Sequence, residues 1–357
     1  MERATHQRLL ETLRRGWADT SPPFTVPASR YRDPASLARE APAFRSPRIV
    51  CTSAALARGA CLPVDVPGQS AIVVRDGDGA VHAFANACRH RATRLVDAPC
   101  AVKAFVCPYH GWTYDLAGSL VHVPHAEAFV GCEHRDLRAL PVVEREGLVW
   151  LGADVDAFIG ELGPDLAALG FDAMTTWQTS RVTRQCNWKL VVEAFLDGYH
   201  LRVLHRDSIY RFFVDAASLS EPVGAHIRAV SARRSLREAP ADLASADLHA
   251  LGTPSYVIFP ATIIICHPDF VSLINLTPTA VDHTIVEHVM LVPATRLGEV
   301  EHWDKSWTLI DGGVLQREDL WVCEQIQRGL DDELLFGSLE APIRWFHATL
   351  DRAISSP

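Results

Sequence analysis

Residues 187–205 read NWKLVVEAFLDGYHLRVLH, and the rest of the chain is organised around them. The stretch predicts a helix that carries two carboxylates and two imidazoles among apolar side chains. Glu193, Asp197 and His200 are spaced i, i+4 and i+7, so they share one face of a continuous helix. His205 follows His200 by five positions and can converge with it only if the helix ends or bulges between them. Because such a polar set is costly to bury without partners, the stretch is either an amphipathic helix with satisfied polar groups or a metal site.

The composition is typical of a folded protein, and its net charge does not favour binding to polyanions. The chain has 357 residues, which is enough for two domains. Its net charge of -9 gives no basic field for nucleic acid or an anionic membrane surface. Residues 1–11 have no continuous apolar run, and no stretch offers about eighteen uncharged apolar residues, so neither a secretory signal nor a membrane span is expected. Nine cysteines, an odd number without regular spacing, favour a reducing compartment. A cytoplasmic protein is therefore predicted.

The pattern of residues changes twice along the chain. Residues 1–45 predict a helix followed by a proline-punctuated arm that packs on the C-terminal domain. From 46 to 155, short β-branched runs separated by turns predict an all-β domain, with a hairpin at RDGDG, residues 75–79. The domain at 156–357 mixes a helix at 303–328 with strands of an antiparallel sheet at 256–259, 262–266, 271–276 and 284–292. The predicted fold class is α+β, an all-β domain plus a domain in which helices cover an antiparallel sheet.

Two short arms in the β domain carry metal ligands by type and spacing. Cys88-x-His90 and, after sixteen residues, Cys107-x-x-His110 supply two thiolates and two imidazoles. Two thiolates on one iron and two imidazoles on the other hold a [2Fe-2S] centre of Rieske type, in which neutral imidazoles raise the reduction potential. A Cys2His2 zinc site is the alternative. Zinc fingers generally keep two like ligands in each arm, so the mixed arms favour the iron–sulfur centre.

These motifs together resemble the terminal α subunits of the Rieske non-heme iron oxygenases. The resemblance rests on the two arms, the second of which extends to CPYHGWTY at 107–114, and on NWK at 187–189 followed by the carboxylates and imidazoles of 193–205. Two independent metal motifs, one in each predicted domain, are more specific than either alone. The resemblance implies an enzyme with one Rieske [2Fe-2S] cluster and one mononuclear Fe(II). It also implies that O2 is used to hydroxylate, dihydroxylate or oxidatively demethylate a small organic substrate.

The resemblance implies His200 and His205 as the imidazole ligands of the mononuclear iron. In the family a carboxylate ligand lies on a late helix, and REDLWVCEQIQRGL at 317–330 is the matching segment. Asp319 is the predicted ligand and Glu318 its nearest alternative, although both could be solvated acids on a charged helix face. A face of two histidines and one carboxylate leaves positions open for O2 beside the substrate.

The resemblance also implies partners. In the family, cluster and iron within one chain are too far apart for electron transfer, so electrons cross between the subunits of a homotrimer, alone or with a β subunit. Asp197 matches the residue that bridges, by hydrogen bonds, the ligand corresponding to His200 and the partner subunit's His110. No Gly-x-Gly-x-x-Gly motif occurs in the chain, so a separate NAD(P)H-dependent reductase or ferredoxin is implied as the electron donor.

The chain departs from the family pattern at two places. Arg91-Ala92 stands where many members have Arg-Gly, and Asp197-Gly198 stands where members acting on quaternary ammonium compounds tend to have Glu-Cys. The second departure weakens the interpretation as a quaternary-ammonium monooxygenase. The motifs are also compatible with a non-catalytic Rieske electron-transfer protein, against which the predicted iron ligands argue, and with a zinc-stabilised ligand-binding protein.

Aromatic side chains near the predicted iron ligands are candidate pocket walls, although any one of them could be ordinary core. No charged residue stands out as a substrate anchor, so the predicted substrate is aromatic or apolar. The candidate walls are Phe195, Tyr199, Tyr210, Phe212, Phe213, Tyr256, Phe259 and Phe270.

Overall fold

The computed structural model describes residues 1–16 and 21–355. These form two compact units, one comprising 46–157 and the other 1–45 together with 158–357. Residues 17–20 of the predicted N-terminal arm and residues 356–357 of the predicted C-terminal domain lie outside the described residues. Within the described ranges, every helix is too short or too polar to cross a membrane.

The N-terminal segment is more helical than the proline-punctuated arm that was expected. Its elements are α1 (Arg3–Arg14), β1 (Phe24–Pro27), α2 (Ser29–Arg32) and α3 (Pro34–Glu40). Asp33 caps α3 by accepting a hydrogen bond from the backbone N–H of Ala35, and Pro34 occupies the first helical position. These are preferred residues at both positions, so this proline starts a helix instead of extending the chain.

The unit at 46–157 is built from antiparallel strands in three small sheets. Its strands are β2 (Arg48–Thr52), β3 (Ala60–Val66), β4 (Gln69–Arg75), β5 (Val81–Ala85), β6 (Cys100–Ala101), β7 (Phe105–Val106), β8 (Thr113–Tyr114), β9 (Leu120–His122), β10 (Ala139–Leu140), β11 (Val142–Arg145) and β12 (Leu148–Leu151). The sheet orders are β10-β5-β4-β3-β6, β11-β12-β2 and β7-β8-β9. The predicted hairpin is confirmed, because β4 and β5 pair and Asp76 accepts hydrogen bonds from the backbone N–H groups of residues 78–80.

The rest of the chain adds helices around one large sheet. After α4 (Val155–Ile159), the elements are α5 (Gly163–Ala167), β13 (Met174–Arg184), α6 (Trp188–Leu196), α7 (Leu201–Leu204), β14 (Phe213–Val223), β15 (His226–Arg233), α8 (Leu248–Leu251), β16 (Gly252–Ile258), β17 (Thr262–Cys266), β18 (Val271–Ala280), β19 (His283–Pro293), α9 (Val300–Trp307), a π-helix (Thr308–Asp319), α10 (Leu320–Gly329), β20 (Glu333–Phe336) and α11 (Ala341–Ser355). The four predicted strands correspond to β16–β19 and are confirmed, as is the α+β fold class.

Strand order explains where the 187–205 stretch lies. The seven antiparallel strands follow the order β13-β19-β18-β17-β16-β15-β14, so two strands that are consecutive in sequence form opposite edges of the sheet. Six inter-strand spacings of about 4.8 Å separate those edges by about 29 Å. The connection at 185–212 must therefore cross the sheet, and α6 packs its apolar residues 190–192 into the same core as β17, β18 and β19.

The helix predicted at 303–328 is confirmed, and its middle is unusual. Residues 308–319 form a π-helix that continues α9 directly into α10. Such segments are rare and occur frequently at functional sites. Gly312 and Gly313 lie within it, and glycine is a poor former of the competing α-helix. Asp319 is the last residue of the π-helix.

Candidate metal centres

Three side chains converge at one point beside the large sheet. His200 Nε2 and His205 Nε2 lie 3.1 Å apart, and Asp319 Oδ1 lies 3.1 Å from His205 Nε2 and 3.8 Å from His200 Nε2. His205 and Asp319 are only 2% and 3% exposed. Within the described part of the chain, the buried Asp319 Oδ1 has no hydrogen-bond partner. Two imidazole nitrogens facing an orphaned carboxylate oxygen fit a divalent cation such as iron.

The two imidazoles lie at the two ends of the short helix α7, after a break in the predicted helix. Helix α6 ends at Leu196, Asp197 is extended with φ -105° and ψ 123°, and α7 starts after His200. The break expected between His200 and His205 therefore lies before both of them, and the short helix α7 joins the two histidines. Gly198 lies in this break, where an added Cβ would meet Ser218 Oγ at 2.5 Å. A larger residue at this position would therefore need the Ser218 hydroxyl to move.

The predicted common face of Glu193, Asp197 and His200 is wrong. The Glu193 carboxylate is buried and accepts a 2.7 Å hydrogen bond from Tyr31 Oη, while His347 Nε2 lies 2.9 Å from it. The helical spacing does not hold because α6 ends before Asp197. Glu193 therefore holds the N-terminal segment and α11, and it has no part in the metal site.

A carboxylate contacts the Nδ1 atom of each candidate imidazole ligand and so orients its ring. His205 Nδ1 lies 2.7 Å from Glu318 Oε2, which also accepts a 2.7 Å hydrogen bond from Ser208 Oγ. His200 Nδ1 lies 3.2 Å from Asp197 Oδ2. Glu318, the alternative third ligand, thus lies on the Nδ1 side of His205, away from the point where the Nε2 atoms meet. Such carboxylate–histidine pairs fix the tautomer with the Nε2 lone pair free for a metal.

The charge around His205 favours a positive ion. Burial alone would lower the pKa of His205, yet the neighbouring carboxylates of Asp319 and Glu318 outweigh burial and hold that pKa above its ordinary value.

The Cys and His side chains of the two arms lie together in the β unit. Cys88 and Cys107 are buried in one apolar cluster, and the rings of His90 and His110 have centroids 4.7 Å apart. His90 Nδ1 is buried without a hydrogen-bond partner among the described residues. Two buried thiols and two adjacent imidazoles, one with an orphaned nitrogen, fit a Rieske-type [2Fe-2S] cluster.

The two arms share one backbone geometry. The N–H of Ala92 donates to the carbonyl of Cys88 at 2.8 Å, and the N–H of Gly111 donates to the carbonyl of Cys107 at 3.0 Å. Both closing residues are left-handed, with φ of 61° at Ala92 and 72° at Gly111. The alanine that replaces the usual glycine in the first arm therefore keeps the glycine conformation.

Hydrogen-bond donors surround the sulfurs. Burial acts to raise the pKa of the Cys107 thiol, but backbone N–H groups of Tyr109 and His110 point at its sulfur and bring that pKa below its ordinary value. The Cys88 thiol is dominated by burial, which raises its pKa, and its sulfur lies 3.3 Å from Tyr114 Oη. Donors aimed at sulfur stabilise thiolate and tune cluster potential.

The candidate iron ligands lie on the wall of a cavity of about 230 Å³. Of the predicted aromatic walls, Phe195, Phe212, Phe213 and Phe270 line it. Tyr256 and Phe259 are buried in the core, and Tyr199 is exposed. Proximity in the sequence therefore predicted too many aromatic wall residues. Polar wall residues were missed, among them the titratable side chains of Arg233, His267 and His288. Arg233 lies in a segment whose poor periodicity carried no signal.

A buried hydrogen-bond chain ends at this cavity. Asp311 Oδ1 lies 2.9 Å from His288 Nδ1, and Ser272 Oγ lies 3.0 Å from His288 Nε2 and 3.1 Å from His267 Nε2. Burial, with smaller contributions from His288 and Arg233, lowers the pKa of His267 to about 3. His267 therefore presents a neutral imidazole at neutral pH.

Comparison with known proteins identifies the family. A model described as the ring hydroxylating alpha subunit (catalytic domain) matches residues 171–356, and one described as the Rieske [2Fe-2S] domain matches residues 46–143. The chain belongs to the Rieske non-heme iron oxygenase α subunits. These oxygenases are oxidoreductases that incorporate O2, and the match assigns the β unit to a Rieske domain instead of a zinc fold.

The oxygenase's relatives are distant. Chloroplastic choline monooxygenase from Beta vulgaris is 26% identical over 303 residues, covering 78% of this chain and 66% of the relative. The chlorobenzene dioxygenase subunit alpha from a Cupriavidus species is 34% identical over 167 residues, covering 42% of this chain and 37% of the relative. The chain thus spans less than two thirds of the length of either relative. A crystal structure of a quaternary ammonium Rieske monooxygenase has a TM-score of 0.80 at 19% identity, covering 94% of this chain and 96% of that chain, which shows a shared fold.

Proposed function

We propose that this chain is a terminal oxygenase component that uses O2 to hydroxylate, dihydroxylate or oxidatively demethylate a small aromatic or apolar substrate. Electrons would come from a separate NAD(P)H-dependent reductase or ferredoxin. The observation that carries the proposal is the convergence of two Nε2 atoms and the orphaned Asp319 Oδ1 on the wall of a cavity. The proposed ligands are His200, His205 and Asp319 for a mononuclear Fe(II), and Cys88, His90, Cys107 and His110 for the [2Fe-2S] cluster.

The side chains of the oxygenase orient the ligands and shape the site. Bound there, the iron would supply O2 activation and the cluster would supply electrons one at a time. Glu318 and Asp197 accept the Nδ1 protons of His205 and His200, which leaves both Nε2 lone pairs for the metal. Aromatic and aliphatic side chains make up much of the wall around the proposed ligands and provide an apolar surface for the substrate.

Asp197 is the proposed bridge for electrons between subunits of a homotrimer, alone or with a β subunit. Its Oδ2 lies 3.2 Å from His200 Nδ1, and Tyr199 N–H donates to its other oxygen. A carboxylate held at both oxygens by the chain has one remaining lone-pair direction on each for a second imidazole.

Metal analysis of variants tests the proposal. The purified protein should contain iron and acid-labile sulfide and show a Rieske-type paramagnetic signal when reduced. His205→Ala should lose the mononuclear iron and keep the cluster, whereas His267→Ala, a matched cavity histidine outside the ligand set, should keep both. Asp197→Asn should keep both centres and lose turnover. Zinc without sulfide in the purified protein, or unchanged iron in His205→Ala, would refute the ligand assignment.

A quaternary ammonium substrate is the second candidate, because the Beta vulgaris relative is named a choline monooxygenase and the matching structure a quaternary ammonium monooxygenase. Two features of this chain oppose it. Gly198 stands where such members tend to have cysteine, and the cavity contains the positive charge of Arg233. Oxygen uptake with choline, measured beside an aromatic panel in the reconstituted system, separates the two candidates.

A further inference from the structure

Arg233 presents a cation to the cavity that contains the candidate iron ligands. It is the last residue of β15, and its guanidinium lies 5.2 Å from the ring centroid of Phe212 and 5.4 Å from that of Phe213. Its side chain donates a long hydrogen bond, 3.3 Å from Nη1 to Thr253 Oγ1. Most of its five N–H donors are therefore available to the cavity.

Several other partly buried arginines of the chain are neutralised by carboxylates. Arg75 pairs with Glu144 at 2.6 Å, and Arg228 pairs with Glu221 at 2.8 Å. Arg233 forms no ion pair with any residue that the structure describes; burial lowers the pKa of its guanidinium, and no neighbouring acid in that part of the chain offsets the effect. An unpaired, partly buried charge is unfavourable unless something else binds it.

The cavity's own acids do not supply that partner. Asp319 points at the two Nε2 atoms and Asp197 pairs with His200, and neither carboxylate lies within ion-pair distance of Arg233. Around Arg233 the wall adds the hydroxyls of Ser231, Thr253 and Ser255 and the neutral imidazole of His267. One side of the cavity thus combines a net positive charge with neutral hydrogen-bonding groups.

We propose that Arg233 binds the carboxylate of the substrate, so that this oxygenase acts on small organic acids whose apolar part extends towards His200 and His205. The inference rests on the proposed function, because it names the substrate class of the same site. A planar guanidinium fork matches a carboxylate with two parallel hydrogen bonds. The volume of about 230 Å³ is below the ~300–1,000 Å³ of pockets for drug-sized ligands and suits a compact acid.

The same geometry disfavours a simple cation. Phe212 has the Arg233 guanidinium at 5.2 Å and the Arg211 guanidinium at 4.8 Å, so its ring already interacts with cations. A bare trimethylammonium group would meet positive charge where an aromatic cage is needed. A zwitterion that carries a carboxylate shares the group that Arg233 recognises, so glycine betaine is an informative probe beside choline.

Matched acids and amides test the assignment. Calorimetric titration of the metal-loaded protein would compare benzoate with benzamide and 3-phenylpropanoate with 3-phenylpropanamide, with glycine betaine and choline as further probes. We expect at least one acid to bind roughly 10- to 100-fold more tightly than its amide, the factor that charge-assisted hydrogen bonds contribute. Arg233→Gln should abolish that preference, and Arg233→Lys should retain part of it. Arg211→Gln removes a positive charge from the same Phe212 ring without altering the cavity wall, so it should leave the preference unchanged.

The outcomes separate this inference from the proposed function. Equal binding of acids and amides, a preference that survives in Arg233→Gln, tighter binding of choline than of glycine betaine, or no acid binding below about 1 mM would each overturn the carboxylate assignment. Iron, sulfide and the Rieske signal measured on the same samples report the proposed function independently. Tight binding of glycine betaine that requires Arg233 would support carboxylate recognition and identify a zwitterion as its source.

Discussion

Ala92 shows how one residue carries strain in the arm that contains Cys88 and His90. Its φ of 61° places an L side chain in the left-handed region, at a cost of about 1–2 kcal/mol. Glycine loses about 0.5–1 kcal/mol in backbone entropy on folding, so Ala92→Gly should keep or raise the free energy of unfolding by up to about 1 kcal/mol. Ala101→Gly in β6, which is not a positive-φ position, is the control and should lose about 0.5–1 kcal/mol. Urea unfolding of both variants measures these changes. A larger loss in the free energy of unfolding for Ala92→Gly than for Ala101→Gly would contradict the prediction.

At the scale of elements, a buried ion pair ties α3 to α6. Lys189 Nζ donates to Glu40 Oε1 at 2.7 Å, and Trp188 Nε1 donates to Glu40 Oε2 at 2.8 Å, with Lys189 fully buried. Lys189→Met leaves the Glu40 charge buried with one donor, and we expect a loss of about 3–5 kcal/mol in the free energy of unfolding. Adding Glu40→Gln removes that charge, so the double variant should lose clearly less than the two single variants together. A double-mutant cycle by urea unfolding measures this, and strict additivity would show that the pair is not coupled.

At the scale of the whole molecule, the docked N-terminal helix makes stability depend on pH. His6 on α1 is 1% exposed, its Nε2 has no hydrogen-bond partner among the described residues, and burial followed by the nearby His249 lowers its pKa from 6.5 to about 3. Between those two values the unfolded chain binds a proton that the folded chain does not. Lowering the pH from 7 to 5 should therefore reduce the free energy of unfolding by about 2 kcal/mol through this residue.

His6→Leu isolates that contribution. The variant places an apolar side chain at the buried position and removes the titrating group. Its urea midpoint should therefore shift less between pH 7 and pH 5 than that of the unaltered protein. Identical shifts in the two proteins would show that His6 is protonated in the folded state and would contradict its lowered pKa.

Sequence patterns predicted the structural features that depend on residues close together in the chain. The Asp-Gly hairpin and the strands β16–β19 follow from periodicity and turn chemistry, and both are confirmed. The helix break expected between His200 and His205 lies instead before both residues. Asp319 was predicted with the two histidines and lies beside them, and its ligand role stays a prediction.

Features that depend on distant partners were not predictable in this way. The pairing of Glu40 with Lys189 joins residues 149 positions apart, and Glu193 points away from the metal site because α6 ends before the next turn. No sequence pattern predicted Arg233 as a wall residue of the cavity, because the phenylalanine rings and the other wall residues around it belong to separate strands.

The π-helix at Thr308–Asp319 makes the metal site sensitive to the count of residues as well as to their type. Each residue of a π-helix turns the chain by less than the roughly 100° of an α-helix, and removing one residue from this segment while α9 stays anchored would still rotate Asp319 away from the two imidazoles. With the proposed ligands His200, His205 and Asp319, a deletion that leaves all three in the chain should thus reduce iron binding as strongly as mutation of one of them. The number of residues in the π-helix therefore sets the direction in which the Asp319 carboxylate points.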